Sequence, residues 1–175
     1  MTVPRPEFSR PERIDTIGAG EREVQVEATA EERAALARRF GLLAVERLVA
    51  RFVVRRETAG IRATGHVEAA VVQPCSASGE PVPARVDEPV TLLFVEPGAS
   101  DEEVELSGDA LDTVEIENGA VDLGEAAAET MALALDPFPR APNAAEALKA
   151  AGVLAEDEVG AFSGLAALRD KLAGR

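Results

Sequence analysis

Residues 47–72, RLVARFVVRRETAGIRATGHVEAAVV, decide the fold. Leu48, Ala50, Phe52 and Val54 fall on one face of an extended chain, and Arg47, Val49, Arg51, Val53 and Arg55 on the other. That period of two is the signature of a strand with one face in a core. Thr58-Ala59-Gly60 interrupts it as a turn, and Ile61 to Val72 alternates again, so the stretch predicts a hairpin of two long, strongly twisted strands.

Upstream, Met1 to Glu21 holds three prolines and scattered charges, which predicts an extended arm with an edge strand around Phe8 to Ile14. Glu23 to Ala28 alternates as a strand. Thr29 and Glu32 then form a T-x-x-E capping box, and a helix follows with Leu36 and Phe40 inward and Gly41 as its left-handed stop.

Downstream, QPCSASGEPVP reads as a loop and Val82 to Val95 as a strand. Short strands are expected at Val104 to Leu106 and Thr113 to Ile116, the latter closed by an Asn118-Gly119 turn. Asp122 and Glu125 repeat the capping box, and Leu123, Ala127, Met131, Ala134 and Leu135 recur at helical spacing up to Asp136-Pro137. Asn143 and Glu146 repeat the pattern before a short helix ending near Gly152. The tail from Ala155 reads as helical and partly mobile, with Phe162, Leu165 and Leu168 as its bulky anchors. Strands precede residue 120 and helices mostly follow it. The expected class is α+β: a mostly antiparallel, strongly twisted sheet with helices packed on one face or end. The expected organisation is an arm over 1–22, an α+β domain over 23–141, and a C-terminal helical segment and tail over 142–175.

At 175 residues, 46% hydrophobic and 29% charged, the composition is that of a globular chain. Aromatics make up 3%, six Phe without Trp or Tyr, so aliphatic side chains and Ala must fill the core, and the composition argues against a base-stacking platform. No stretch is apolar enough for a membrane span and MTVPRPEFSR lacks a signal-peptide core, which predicts a cytoplasmic protein with no membrane partner. Net charge is −14, unevenly spread. Arg33 to Arg62 carries eight Arg and two acids, whereas Asp87 to Glu129 carries fourteen acids and no Lys or Arg. Such a two-signed chain points to charged partners.

The residues supply little catalytic chemistry. His66 is the single histidine, and Cys75 is the single cysteine, with only Pro74, Ser76, Ala77 and Ser78 as near neighbours to activate it. One Cys and one His cannot build a zinc site, no phosphate-binding glycine loop occurs, and Asp101-Glu102-Glu103 lacks the spacing of a calcium loop. A non-enzymatic protein without cofactor or metal is therefore expected. Arg47, Arg51 and Arg55 share a strand face, with Arg56 at the turn and Arg62 across the hairpin. Guanidinium groups in a row can track a phosphate backbone, which makes these five candidate RNA-binding residues. Cross-strand pairs with Glu57 and Glu68 would produce the same row without any ligand.

Two runs resemble the YceD family (domain of unknown function 177). QPCSASGEPVPARVDEPVTLLF is similar to its C-x-x-[C/T]-x-E-[P/F] loop and following strand, through Cys75, Glu80 and Pro81. GAVDLGEAAAETMALALDPFPRAP is similar to its G-x-[V/I]-D-L-x-E helix, through Gly119, Val121, Asp122, Leu123, Glu125, Glu129, Met131, Leu133, Leu135, Pro137 and Pro139. The resemblance spans Phe8 to Ala141, with an echo of the family's C-terminal tag in FSGLAALRDKL. It implies a ribosome-assembly factor promoting accumulation or processing of large-subunit ribosomal RNA. The partner is then that RNA, a basic large-subunit ribosomal protein that the acidic half would chaperone, or both; oligomeric state stays open. Many members carry a second cysteine where Ser78 stands, so Cys75 is taken as structural. Within the helix motif, Asp122 caps, Leu123, Met131 and Leu135 bury, Glu125 completes the box, and Pro137 with Pro139 directs the exit. Glu129 has no such folding role, which makes it the candidate for contact with a basic partner.

Overall fold

The structure, a computed structural model, describes residues 6–97 and 112–153. The strand expected at 104–106 and the tail with Phe162, Leu165 and Leu168 lie outside them. The described residues form two compact units, one of residues 6–73, 83–97 and 112–137, the other of residues 74–82 and 138–153.

The element order is β1 (Pro11–Arg13), a 3-10 turn (Ile14–Thr16), β2 (Arg22–Glu27), α1 (Ala30–Arg39), β3 (Ala44–Glu57), β4 (Gly60–Pro74), β5 (Pro81–Val95), β6 (Asp112–Glu115), β7 (Ala120–Asp122), α2 (Leu123–Ala134) and α3 (Ala144–Ala150). The hairpin forms in the expected register, Glu57 opposite Gly60 around the Thr58-Ala59 turn and Phe52 opposite Gly65, with a bulge between Val45 and Arg47. Leu48, Ala50, Phe52 and Val54 are buried, as the alternation requires. β2 pairs antiparallel with β3, from Arg22 opposite Val54 to Glu27 opposite Val49.

The expectation of a mostly antiparallel sheet is corrected here. The five strands run in the order β2-β3-β4-β5-β6, and β6 joins parallel to β5, Leu92 opposite Asp112 through Val95 opposite Glu115. The sheet is mixed. A parallel neighbour needs a crossover rather than a tight turn. Nothing in a strand of four residues announces that direction.

α1 begins with the predicted capping box: Thr29 Oγ accepts the Glu32 N–H and the Glu32 carboxylate accepts the Thr29 N–H at 2.8 Å. Gly41, at φ +65°, stops it. At α2 the box is only half made. Asp122 accepts the N–H groups of Gly124 (3.0 Å) and Glu125 (3.1 Å), but the Glu125 side chain turns away to Arg39. Ala134, expected inward, is exposed, and Asn143 makes no side-chain cap at α3. Among the described residues no helix is long and apolar enough to cross a membrane.

The core of the larger unit is aliphatic and Ala-rich, with Phe8, Phe52 and Phe94 as its buried aromatics. α2 packs on β3, β2 and β1 through Leu123, Ala127 and Met131, none of them measurably exposed. The N-terminal arm belongs to this core, since Phe8 is 0% exposed and Ile17 is 3% exposed. Burying one such phenylalanine stabilises by about 1.5–3 kcal/mol. The same Asp122 carboxylate that caps α2 also accepts Ser9 Oγ (2.5 Å) and the Arg10 N–H (2.7 Å), while β1 pairs antiparallel with β7. Gly119, at φ +69°, makes the turn that sends β7 back toward the arm. Arg56 lies on the face opposite Arg55 and donates to the carbonyls of Ile17 (3.1 Å) and Ile14, tying down the 3-10 turn.

The arm crosses α2 at Gly124, where a Cβ would stand 2.5 Å from the Phe8 carbonyl oxygen and 2.9 Å from the Arg10 nitrogen. Helix propensity alone favours Ala over Gly by about 1 kcal/mol. Backbone on backbone cannot yield so cheaply, and such overpacking costs about 1–3 kcal/mol. Gly124→Ala should therefore lower the urea midpoint; a variant as stable as the native chain would show that the arm is not seated there.

Candidate functional site

The outer face of β2, β3 and β4 brings four of the five candidate arginines together. Arg47 Nη1 and Arg51 Nη1 both reach Glu68, at 2.8 and 3.1 Å. Arg55 and Arg62, directly opposite each other, share Glu57 Oε1 at 2.7 and 2.8 Å, and Arg55 lies 3.4 Å from Glu21. Arg47 holds the Glu68 carboxyl below the usual range, and Arg62, then Arg55, do the same for Glu57 against the opposing effect of burial. Glu23 and Glu27, opposite Val53 and Val49, project on this face too. Four arginines thus pair with three glutamates, Glu21, Glu57 and Glu68, and Glu23 and Glu27 add negative charge to the same face, so the arginines leave no excess positive charge there. His66 Nδ1 lies 2.8 Å from Asp87 Oδ1 on the same sheet.

The unbalanced charge lies elsewhere. A groove of about 350 Å³ runs between the arm, β6, the β6–β7 turn and α2. Its rim carries Asp112, Glu115, Glu117, Asp122, Glu125 and Glu129, with neither Lys nor Arg in the lining. Its floor is apolar, including Leu92, Phe94, Val114 and Ala126. Asp122 is occupied by the arm and the helix cap, and Glu125 by Arg39 at 2.5 and 2.9 Å. Arg39 also reaches Glu7 at 3.0 Å, and these carboxylates, Glu125 foremost, raise its pKa further. The other four, Asp112, Glu115, Glu117 and Glu129, make no ion pair among the described residues.

Glu129 stands one turn beyond Glu125 on the same side of α2. Burial raises its pKa above the ordinary carboxylate value, Glu125 raises it further, and Arg39 offsets part of this. Partial desolvation beside a like charge is unfavourable. A cation entering the groove would relieve both effects. Among the described residues, no group of three or more His, Cys, Asp or Glu is placed to hold a metal ion.

In the smaller unit the two motif segments meet. Cys75 N–H donates to the Glu80 carbonyl (2.7 Å), Gly79 N–H to the Cys75 carbonyl (2.8 Å) and Ser76 N–H to the Pro139 carbonyl (2.8 Å). Ser78 Oγ donates to the Glu80 carboxylate at 3.4 Å, and Pro81 begins β5. Cys75, 3% exposed, packs with Ala141 and Ala144, and its sulfur accepts the Ala141 N–H at 3.3 Å. That N–H, then the Ser78 side chain, pulls the thiol pKa down to about 6 although burial opposes them. Proximity in sequence misses this activation, because Ala141 arrives from a distant segment. In the larger unit Pro137 is exposed beyond α2, where Gln73 Nε2 donates to the Asp136 carbonyl at 2.9 Å.

Because the folded pKa is depressed, the Cys75 thiolate contributes stability that is fully present above the ordinary thiol value of about 8.5 and is lost as pH falls through about 6. The stability difference between the native chain and Cys75→Ser should accordingly grow from pH 6 to pH 8.5 in denaturant titrations. A difference that stays flat across this range would mean that the thiol titrates normally.

The carboxylates on β6 and Leu133, which is 85% exposed beside the groove, escaped the residue-by-residue reading that singled out Glu129. The available signal was the acid-only run Asp87 to Glu129, part of which lies outside the described residues. No curated protein and no solved structure matches the chain. A family model does match, over residues 63–169, and its description is large ribosomal RNA subunit accumulation protein YceD. All five candidate arginines precede the matched residues, whereas the groove carboxylates on β6 and α2 fall within them. With more than half of its residues matched, and with the cysteine loop and the Asp122 helix both inside the match, the chain belongs to the YceD family.

Proposed function

We propose that this chain supports accumulation of large-subunit ribosomal RNA as a cytoplasmic, non-enzymatic binding protein, and that its groove holds a basic segment of a large-subunit ribosomal protein. The family description carries the role in large-subunit RNA accumulation. One observation carries the choice of partner: carboxylates that make no ion pair among the described residues collect in the groove, while the arginine row is balanced by glutamates. RNA phosphates would have to displace Glu57 and Glu68 from Arg47, Arg51, Arg55 and Arg62 against a net charge of −14. A lysine- or arginine-bearing chain entering the groove meets carboxylates with no ion pair to give up among the described residues. Steering of such a partner by the whole-molecule charge would add to its association rate.

The test compares two double variants of the full chain for binding to a purified basic large-subunit ribosomal protein and to large-subunit ribosomal RNA. Glu115→Gln with Glu129→Gln should weaken the protein complex about tenfold, and Arg51→Ala with Arg55→Ala by less than about threefold. Tight RNA binding at low salt that is lost with the arginine pair would overturn the proposal in favour of the RNA interface. Affinity for the protein should also fall on acidification at pH values above those of an ordinary carboxylate, because Glu129 titrates high, and Glu129→Gln should flatten that part of the profile.

A further inference from the structure

The groove continues past its own end. A second hollow of about 460 Å³, lined in part by Glu88, Val90 and Ala134, shares Asp112, Thr130 and Leu133 with it. The two form one trough along the outer side of α2, a helix of 12 residues and so about 18 Å long. Leu133 stands at the junction, 85% exposed, on a helix whose Leu123, Ala127 and Met131 are all buried. A single exposed leucine needs no explanation on its own. This one is placed between Glu129 on the helix and Asp112 on the facing strand, over the shared lining of both hollows. An apolar centre inside a charged rim is the anatomy of a binding hot spot, where excluding water strengthens the surrounding ion pairs. A purely polycationic ligand would leave that leucine without use.

We infer that the trough selects basic segments carrying an aliphatic side chain between their cations, with the aliphatic group seated on Leu133 and the cations on Glu129 and Asp112. The inference rests on the groove being the site for a basic protein partner, and it adds the pattern that the partner must carry.

Two synthetic peptides of equal length and charge separate the possibilities, one built of Lys-Leu-Arg repeats and the other of Lys-Ser-Arg repeats, each titrated into the full chain by fluorescence anisotropy. The leucine peptide should bind about tenfold tighter, the factor that partial burial of one leucine supplies. Leu133→Ser should erase that preference while leaving the unfolding midpoint unchanged, because the side chain contributes almost no burial to the fold. Equal binding of both peptides to the native chain, or a preference that survives Leu133→Ser, would overturn the inference and leave the groove as a general polycation surface. Binding of neither peptide, under conditions where large-subunit RNA does bind, would remove the proposed function and the inference with it.

Discussion

The Asp122 carboxylate fastens the N-terminal arm to the start of α2, at the place where β1 pairs with β7. One of its oxygens takes the first free N–H groups of α2 and the Arg10 N–H, and the other takes Ser9 Oγ. A helix cap is ordinarily worth about 0.5–2 kcal/mol and concerns only the helix. Here the same group sets the position of the arm, and with it Phe8 in the core and Pro6, Ser9 and Pro11 along the groove. Gly124 completes the arrangement by leaving room for the crossing backbone. The Asp-Leu-x-Glu portion of the motif is thus a device for attaching the arm as much as for starting a helix.

Charge is partitioned by neighbourhood rather than by composition. The Arg-rich hairpin is the part of the sequence that looks basic, yet its register sets Arg47, Arg51, Arg55 and Arg62 beside glutamates of the same or the adjoining strand, and Arg56 is taken up by the carbonyls of Ile14 and Ile17. Individual exposed pairs of this kind contribute about 0–1 kcal/mol. Their main effect is to cancel the local field. Among the described residues, the carboxylates around β6 and α2 make no ion pair, except where Arg39 crosses from α1 to Glu125. Among the described residues, Asp112, Glu115, Glu117 and Glu129 thus gather at one concave surface.

The sequence revealed most where the cause was local. Alternation in Arg47 to Val72 was sufficient for the hairpin, and Thr29 with Glu32 for the start of α1, because period and capping are read within a few residues. The direction of β6 was hidden, since parallel pairing with β5 depends on a connection that Asp112 to Glu115 do not encode. Glu125 looked like a box residue until Arg39, 86 positions away, competed for it. The groove itself was only partly visible for the same reason. Glu129 stood out through having no folding role, but Asp112, Glu115 and Leu133 become neighbours only when the mixed sheet and α2 come together, and the Cys75 sulfur found its donor at Ala141 in the same nonlocal way.

The pairing of β1 with β7 also orders events in time. Ser9 and Asp122 are 113 positions apart, so the arm's wall of the groove is synthesised well before the wall made by α2. Closing so long a loop is among the slower steps open to a small protein. Until it happens the carboxylates are scattered along a chain with no concave surface. The groove is complete only once the segments between residues 6 and 134 have come together.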